Sequence, residues 1–339
     1  MPIDLLYSDL HLRNDRLDVA SKVLDGIFKI GERAGVLESG GAFLNGGDTF
    51  HVRGMIPTSA MDLLYKKRRE WKKRGVLTHV DNIGNHDQED REGEIHPMMV
   101  FEELGDGWIV ADKPLYLKSL HYYVIPYCTH LSRLLKGIPT ELRKGLVALV
   151  HTGVKGAYLN NQRRDDFSLE VDAFDGFKRV FSGHYHKHHS LNDRFTYIGS
   201  PNQHTAAERD QAKGVVIYDR DSDVFSHYPI GGTPSFHEAK VWWEDDEIQF
   251  SRPKRISPGD TVLVHVNGTS DQVRSFKSKS LGLECHVKIS RHTKDVTQSR
   301  LNVDSEDDKV SLLKSYVDYM DPGLDTKRLF SIGRKFLEA

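Results

Sequence analysis

Short apolar runs alternate with segments of helical periodicity along the first two thirds of the chain, and this alternation constrains the fold more than any other feature. Runs of this length, rich in Val, Ile and Leu, are typical of buried strands. The predicted strands are Ile3–Tyr7, Ala42–Leu44, Val76–Ile83, His121–Ile125, Leu146–Val150 and Arg179–Phe181. Helices are predicted over Asp18–Ala34 and Thr58–Arg74. The pattern predicts α/β layers, with helices packed outside a sheet.

The pattern changes after residue 194, where strand-like segments follow one another closely. Phe195–Ile198, Gly214–Tyr218 and Val224–Tyr228 are separated mainly by turn residues rather than by helices. Closely spaced strands of this kind favour antiparallel pairing. We therefore expect them to form a second, more antiparallel sheet that completes the core.

A small α+β accessory domain is predicted nearer the C-terminus. Thr261–Val266 and Glu284–Ile289 have strand patterns on either side of a helix predicted over Asp271–Ser280. A capping-box pattern that begins at Ser305 then precedes apolar residues at helical spacing. The predicted organisation is a main domain over residues 1–245, an accessory domain over 253–292, a linker over 293–303 and C-terminal helices over 304–339.

The composition suits an ordinary globular protein and argues against several other classes. The 339 residues include two cysteines, Cys128 and Cys285, which are too few for a disulfide framework. The longest apolar run is far shorter than a membrane span, and Met1–Asp4 lacks the features of a signal peptide. A cytoplasmic protein is therefore expected. The net charge of −2 indicates no general affinity for nucleic acid, whereas the 18 histidines point to metal chemistry.

Polar clusters stand directly after five of the predicted strands. They are Asp9-Leu10-His11, Gly46-Gly47-Asp48, Gly84-Asn85-His86-Asp87, His151 and Gly183-His184-Tyr185-His186. One such cluster alone would mean little, because Asp-x-His and Gly-Asp are common and Gly-Asn is often a turn. In α/β sheets, however, ligands bind outside the carboxyl ends of the strands. Five clusters in succession predict one rim that carries carboxylate, carboxamide and imidazole groups.

These residue types suit a pair of divalent cations. Two such ions about 3.5–4 Å apart can clamp a phosphate group and lower the pKa of a shared water, which is the expected nucleophile. A bridging carboxylate has to hold the ions at that separation, and Asp48 is the natural candidate. Imidazole and carboxylate ligands favour manganese, iron or zinc. His86, next to Asn85, is placed to stabilise the transition state or to protonate the leaving oxygen.

The same residues resemble the signature of the calcineurin-like metallophosphoesterase superfamily, which runs D-x-H, G-D, G-N-H-(D/E), H and G-H-x-H. The resemblance implies a four-layer α/β/β/α sandwich with two metals at its rim. It assigns one metal to Asp9, His11, Asp48 and His186, and the other to Asp48, Asn85, His151 and His184. It also makes His86 the catalytic histidine.

A narrower resemblance, to the SbcD-like nucleases of DNA double-strand-break repair, covers nearly the whole chain. Gly47-Asp48-Thr49-Phe50-His51 is similar to their G-D-x-F-H motif, and Tyr197-Ile198-Gly199-Ser200-Pro201 to one of their closing strands. The chain length, Asp112-Lys113-Pro114 and the paired C-terminal helices resemble the small subunits of T-even-type phage recombination endonucleases. In such nucleases His51 would lie beside the metals and help to place the DNA end.

This resemblance implies an exonuclease and endonuclease subunit that acts on DNA in repair and recombination, with two Mn²⁺ ions or with Mg²⁺. The C-terminal helices would bind an SMC-like coiled-coil ATPase, and two nuclease copies would form a homodimer at the centre of a heterotetramer. No membrane would be involved, and for a phage protein the compartment would be the host cytoplasm. The metal ligands alone leave open a phosphatase or cyclic phosphodiesterase for a small substrate, or an inactive scaffold.

A dense basic run over residues 66–74 also has two interpretations. It could be the solvated face of the second predicted helix. Alternatively, its lysines and arginines could contact phosphates, which would make DNA binding depend on salt concentration.

Overall fold

The computed structural model describes most of the chain up to Thr293 and a few residues beyond it. The residues left undescribed are 1, 55, 91–94, 160, 162, 254, 258, 284, 294–312, 315–316, 318–327 and 332–339. Residues 294–303 of the predicted linker and most of the predicted C-terminal helices therefore lie outside the described residues, whereas Thr293 ends a strand. The chain divides into two compact units. One comprises Met1–Ala239, Ser251–Val264 and Lys279–Ile289, and the other Lys240–Phe250, His265–Ser278 and Ser290–Ala339.

The fold is mixed α/β, with strands in three sheets. The strands are β1 (Ile3–Tyr7), β2 (Phe43–Asn45), β3 (His79–Asn82), β4 (Trp108–Ala111), β5 (Leu115–Leu117), β6 (Tyr122–Ile125), β7 (Val147–His151), β8 (Arg179–Gly183), β9 (His189–Ser190), β10 (Phe195–Tyr197), β11 (Gly214–Asp219), β12 (Val224–Pro229), β13 (Phe236–Glu244), β14 (Glu247–Ser251), β15 (Thr261–Gly268) and β16 (His286–Thr293). The helices are α1 (Leu17–Arg33), α2 (Thr58–Lys73), α3 (Leu131–Gly137), α4 (Thr140–Arg143) and α5 (Ser270–Ser275). Short 3₁₀ helices cover Asn14–Arg16, Pro97–Leu104, Val171–Phe174, Ala206–Glu208 and Ser278–Leu281.

The first sheet has the strand order β12-β11-β1-β2-β3-β4. Strands β1 to β4 are parallel to one another, while β11 is antiparallel to β1 and β12 to β11. The second sheet has the order β5-β6-β7-β8-β10-β9, and β6, β7, β8 and β10 are parallel. The carboxyl ends of the parallel strands in each sheet therefore meet at one edge, where the polar clusters begin.

Apolar side chains form three buried clusters around these sheets. One cluster joins the two sheets, with Leu44 and Val80 from the first sheet and Leu149 and Phe181 from the second. A second cluster packs α1 and α2 on the first sheet, and a third packs α3 on the second sheet. In α1 the buried residues recur at helical spacing, as its sequence pattern predicted.

The prediction that the strands after residue 194 form a sheet of their own is wrong. Strand β10 pairs in parallel with β8 in the second sheet, whereas β11 and β12 extend the first sheet. The physical reason lies in burial. Val215 and Val216, on opposite faces of β11, are both completely buried, so this strand needs cover on both sides. The side chains of β12 are intermediate or exposed, which suits the sheet edge.

The third sheet has the order β14-β13-β15-β16. Strand β15, helix α5 and strand β16 follow the predicted strand–helix–strand pattern, and Thr269 and Gln272 form a capping box at the start of α5. Strands β13 and β14 were not predicted, and β16 extends to Thr293, beyond its predicted end. Among the residues described here, no helix is long and apolar enough to cross a membrane.

Candidate metal centre

The seven predicted ligands come together at the carboxyl ends of β1, β2, β3, β7 and β8. The loop after β1 supplies Asp9 and His11. The loop after β2 supplies Asp48, and the loop after β3 supplies Asn85. His151 is the last residue of β7, and His184 and His186 follow β8 directly. These five strands are neighbours in two sheets that share a core, so loops far apart in sequence converge on one place.

The backbone of this centre is held in unusual conformations. Asp9, His11, Asp48 and His184 have φ angles of 54°, 44°, 54° and 96°, in a region that residues other than glycine seldom adopt. Such strain costs on the order of 1–3 kcal/mol per residue and concentrates at functional sites. These four predicted ligands are among nine non-glycine residues with positive φ in the described part of the chain.

Glycines allow the loops to approach one another closely. A Cβ atom on Gly47, whose φ is 103°, would lie 2.6 Å from His151 Nδ1. One on Gly84 would lie 2.2 Å from Asp48 Oδ1. Any side chain at either position would therefore push the ligand loops apart.

Six of the predicted ligands fall into two of the three residue groups that could hold a metal ion in the described part of the chain; the third group is His11, His51 and His86. Asp9, His11 and His186 form the first, and Asp48, His151 and His184 the second, with candidate ligand atoms within 4.8 Å of one another in each group. Asn85 belongs with the second group, because its Oδ1 lies 3.1 Å from His151 Nε2 and 2.9 Å from His184 Nδ1.

Asp48 is a member of the second group and also lies close to the first. Its Oδ2 atom is 3.6 Å from Nε2 of His11, in the first group, and 3.4 Å from Nε2 of His151, in the second. Its Oδ1 atom accepts a hydrogen bond of 2.8 Å from the His86 backbone amide, which fixes the carboxylate plane. A carboxylate in this position can offer an oxygen to ions on both sides.

Hydrogen bonds fix the orientation of three histidine rings. His151 Nδ1 donates to Gly46 O at 2.8 Å, and His86 Nδ1 donates to His51 O at 2.7 Å. His186 Nδ1 donates to Glu208 Oε1 at 3.0 Å. In each ring the Nε2 atom therefore remains for a ligand or a substrate, which is how metal-binding histidines are usually positioned.

Burial and charge oppose one another at the two carboxylates. Burial raises the pKa of Asp9 above its usual value, and the nearby His151 and His186 only partly offset this. Burial would also raise the pKa of Asp48, but His151 and His11 outweigh burial and hold it well below its usual range. The Asp48 carboxylate in turn raises the pKa of His151 to about 9 against the effect of burial. Burial and the neighbouring His151 lower the pKa of His184 to about 3.

The centre suits divalent cations. Asp9 is completely buried and Asp48 is 1% exposed, which is costly for carboxylates without a positive partner. Nε2 of His11 and Nε2 of His186 face each other at 3.0 Å. Two imidazole nitrogens so close need a proton or a cation between them. Nitrogen and carboxylate ligands at this spacing match borderline divalent metals, although the donor set does not identify the metal.

His86 and His51, the predicted catalytic and DNA-positioning residues, lie beside the first ligand group. Their rings are stacked at a centroid distance of 5.8 Å. The His11 ring packs edge-on against both, at 4.8 Å from His86 and 5.3 Å from His51. Both side chains are partly exposed, so a bound substrate could reach them.

Sequence reasoning missed three residues that support the first ligand group. Glu208 receives the hydrogen bond from His186 and forms a buried ion pair of 2.7 Å with Lys213. The His204 ring lies 5.1 Å from those of His11 and His186, and its Nε2 donates to Asp9 O. No metal-binding motif marks Glu208, His204 or Lys213. The only available signal was their place shortly after the Gly199-Ser200-Pro201 turn, where polar residues follow a buried strand.

The basic run on α2 is largely neutralised. Arg68 is completely buried against Asp81, and Lys67 forms an ion pair of 2.6 Å with Asp25. Lys66 pairs with Asp62, and Arg74 pairs with Glu32 and Glu70. The run is therefore not uniformly solvated, and these four cations already have acidic partners within the chain.

No protein-family profile matches the chain, and no curated protein matches it significantly. Its function has therefore to be inferred from the side chains themselves.

Proposed function

We propose that this protein is a two-metal phosphodiesterase that cleaves DNA, the nuclease subunit of an ATPase–nuclease complex of repair and recombination. The observation that carries the proposal is the position of Asp48 between two groups of buried ligands at the carboxyl ends of adjacent parallel strands. A structural polar cluster needs no such symmetry. A centre for two ions around a phosphate does.

The three buried clusters support the four-layer α/β/β/α arrangement of metallophosphoesterases. The cluster shared by the two sheets accounts for the inner contact. The clusters beneath α1 and α2 on one side and α3 on the other account for the two outer layers. In this arrangement the ligand loops would share one rim of the sandwich.

The two groups support the ligand sets that the resemblance implies. Asp9, His11, Asp48 and His186 would hold one ion, and Asp48, Asn85, His151 and His184 the other. Manganese suits these nitrogen and carboxylate donors, and magnesium is the alternative. When bound, the two cations would lower the pKa of a shared water and neutralise charge on the phosphate.

His86 has the geometry for a proton donor or an electrostatic stabiliser. Its Nδ1 proton is committed to the His51 carbonyl, so Nε2 is the atom that can meet the substrate. A proton on Nε2 would serve the leaving oxygen or stabilise the negative charge of the transition state. The same hydrogen bond couples the orientation of His86 to the loop that carries His51.

The choice of DNA as the substrate rests on His51 and on the resemblance to SbcD-like nucleases.

Exposed apolar side chains support the proposed homodimer. Ile95, Met99 and Val100 are 56%, 55% and 44% exposed and lie in or next to the 3₁₀ helix Pro97–Leu104. The proposed ATPase contact through residues 304–339 rests on the resemblance alone.

Digestion of end-labelled duplex DNA in Mn²⁺ tests this proposal. The wild-type chain, with and without a candidate coiled-coil ATPase, should release nucleotides or short fragments, and His86→Ala and Asp48→Ala should not. Asp18→Ala, which removes an exposed carboxylate from the first turn of α1, serves as the matched control and should retain activity. A wild-type preference for a chromogenic phosphomonoester over DNA would contradict the nuclease assignment and favour a small-substrate phosphatase.

A further inference from the structure

Phe167 is almost completely exposed, although large aromatic side chains are normally buried. Its exposed fraction is 98%, the highest among the large apolar side chains of the described residues. It lies in the segment that follows metal-centre residue His151 and leads to the 3₁₀ helix Val171–Phe174. A single exposed apolar residue is unremarkable on an arbitrary loop, so the surroundings of Phe167 decide whether it has a role.

The backbone around Phe167 is held in place by a buried carboxylate. Asp165 is 5% exposed, and its Oδ1 atom accepts hydrogen bonds from the backbone amides of Phe167 and Ser168 at 2.9 and 3.0 Å. A parallel bridge between Val154 and Leu169 closes the base of the segment. The ring of Phe167 is therefore presented to solvent by a fixed turn.

The same carboxylate ties the segment to the metal centre. Asp165 Oδ2 accepts a hydrogen bond of 2.5 Å from the hydroxyl of Tyr185, which lies between His184 and His186 in the sequence. The backbone at Gly153 packs against this hydrogen bond: a Cβ on Gly153 would lie 2.8 Å from the Tyr185 hydroxyl and 3.0 Å from Asp165 Oδ2. The Tyr185 ring is 4.8 Å from the ring of His184. One side chain thus connects the Phe167 turn to the metal ligands.

Two cations, Arg164 and Lys187, pack on the ring of Tyr158 in the same segment. The Arg164 guanidinium lies 4.2 Å from the ring centre of Tyr158, and Lys187 Nζ lies 3.9 Å from it. Arg164 also donates to the Tyr158 hydroxyl at 2.6 Å. A surface that binds a protein partner would consist mainly of apolar side chains. Exposed aromatic rings close to cations are typical instead of surfaces that bind single-stranded nucleic acid.

We propose that Phe167 stacks on an unpaired base of the DNA strand whose phosphate lies at the metal centre, and that Arg164 and Lys187 neutralise the adjoining phosphates. This inference rests on the proposed nuclease function and deepens it. It assigns frayed or single-stranded ends as the favoured substrate, because only an unpaired base offers a free face. Since the turn is already fixed by Asp165, binding would not require the protein to order it.

The test compares wild type, Phe167→Ala and Phe167→Trp, with Leu77→Ala as the matched control. Leu77 is 72% exposed and precedes β3, at the opposite end of that strand from the ligands. Cleavage in Mn²⁺ is measured on DNA with an unpaired end and on bis(p-nitrophenyl) phosphate, which has no base. Binding is measured with 2-aminopurine at the terminal position, whose fluorescence falls when it stacks.

Loss of the Phe167 ring should raise KM for the unpaired DNA end roughly ten- to a hundredfold, the range that base stacking supplies. The loss on DNA should exceed any loss on the small diester at least tenfold, the 2-aminopurine quenching should disappear, and Trp should restore both. Equal KM and equal quenching in Phe167→Ala, with a wild-type chain that cuts DNA, would overturn this inference alone. A wild-type chain that cuts the small diester but no DNA would overturn the proposed nuclease function as well.

Discussion

Two buried polar clusters differ in how their charges are satisfied. One lies between α2 and the first sheet, and the other lies at the carboxyl ends of strands from both the first and the second sheet. In the first, which we term the anchor cluster (Tyr7, Arg68, His79 and Asp81), Arg68 binds Asp81 through two hydrogen bonds of 2.5 and 2.6 Å. The Tyr7 hydroxyl and His79 Nε2 are 2.8 Å apart. In the second, the candidate metal centre, the carboxylates of Asp9 and Asp48 lie among the imidazoles of His11 and its neighbours, in groups that could hold a metal ion.

The pKa values of the buried carboxylates depend on the positive groups beside them in both clusters, and His151 and His11 hold the pKa of Asp48 low as Arg68 does that of Asp81. Burial would raise the pKa of Asp81, but Arg68 outweighs it and holds the pKa well below its usual range. At Asp9 burial prevails and the pKa is raised. In the anchor cluster a guanidinium of the chain itself pairs with the buried carboxylate, whereas the groups of the candidate metal centre could hold metal ions. Mutations in the two clusters should therefore have opposite signatures.

The largest effect is expected at Asp48. Replacing it with Asn keeps the shape of the side chain but removes the charge shared by the two ligand groups, so phosphodiesterase activity should fall more than a thousandfold. The chain should remain folded without metal, and Mn²⁺ should no longer raise its Tm. Steady-state kinetics and thermal unfolding with and without Mn²⁺ measure both quantities. Activity within tenfold of wild type would show that Asp48 is no bridge.

A mutation in the anchor cluster should instead lower the stability of the fold and leave metal affinity unchanged. Arg68→Met removes one partner of a buried ion pair, which costs about 3–5 kcal/mol of unfolding free energy. Wherever the variant is folded, its metal affinity should match that of wild type, as judged by calorimetric titration with Mn²⁺. Lys67→Met is the control on the same helix, because its pair with Asp25 is partly exposed and should contribute less than about 1 kcal/mol. Equal losses in the two variants would refute the distinction between the clusters.

A smaller effect is expected at Glu208, which orients a ligand without being one. Glu208→Gln weakens the acceptor of the His186 hydrogen bond and leaves Lys213 without its ionic partner. Affinity for Mn²⁺ should fall roughly ten- to a hundredfold, as is typical when the support of a metal ligand is removed. Glu170→Gln, in an exposed pair with Lys155, is the control and should bind as wild type does. An affinity for Mn²⁺ equal to that of wild type in Glu208→Gln would show that Glu208 does not support the metal ligand His186.

The same contrast shows how far the sequence could predict the molecule. The convergence of the candidate ligands was predictable because each stands beside a strand end, and a strand end is a local signal. The role of Glu208 was not predictable, because its contact with His186 spans 22 positions and depends on the fold. Arg68 was read as part of an exposed basic run for the same reason, since its partner Asp81 lies on another element. The placement of β11 beside β1 likewise depends on pairing between distant segments.

We expect the buried ligands to bind two ions bridged by Asp48. The most direct measurement is anomalous X-ray diffraction from crystals of this protein soaked in Mn²⁺, recorded at the manganese edge. Two peaks about 3.5–4 Å apart on either side of the Asp48 carboxylate are predicted. One would be bound by Asp9, His11 and His186, and the other by Asn85, His151 and His184. A map with no peak at these residues, or with both peaks bound elsewhere, would contradict the account.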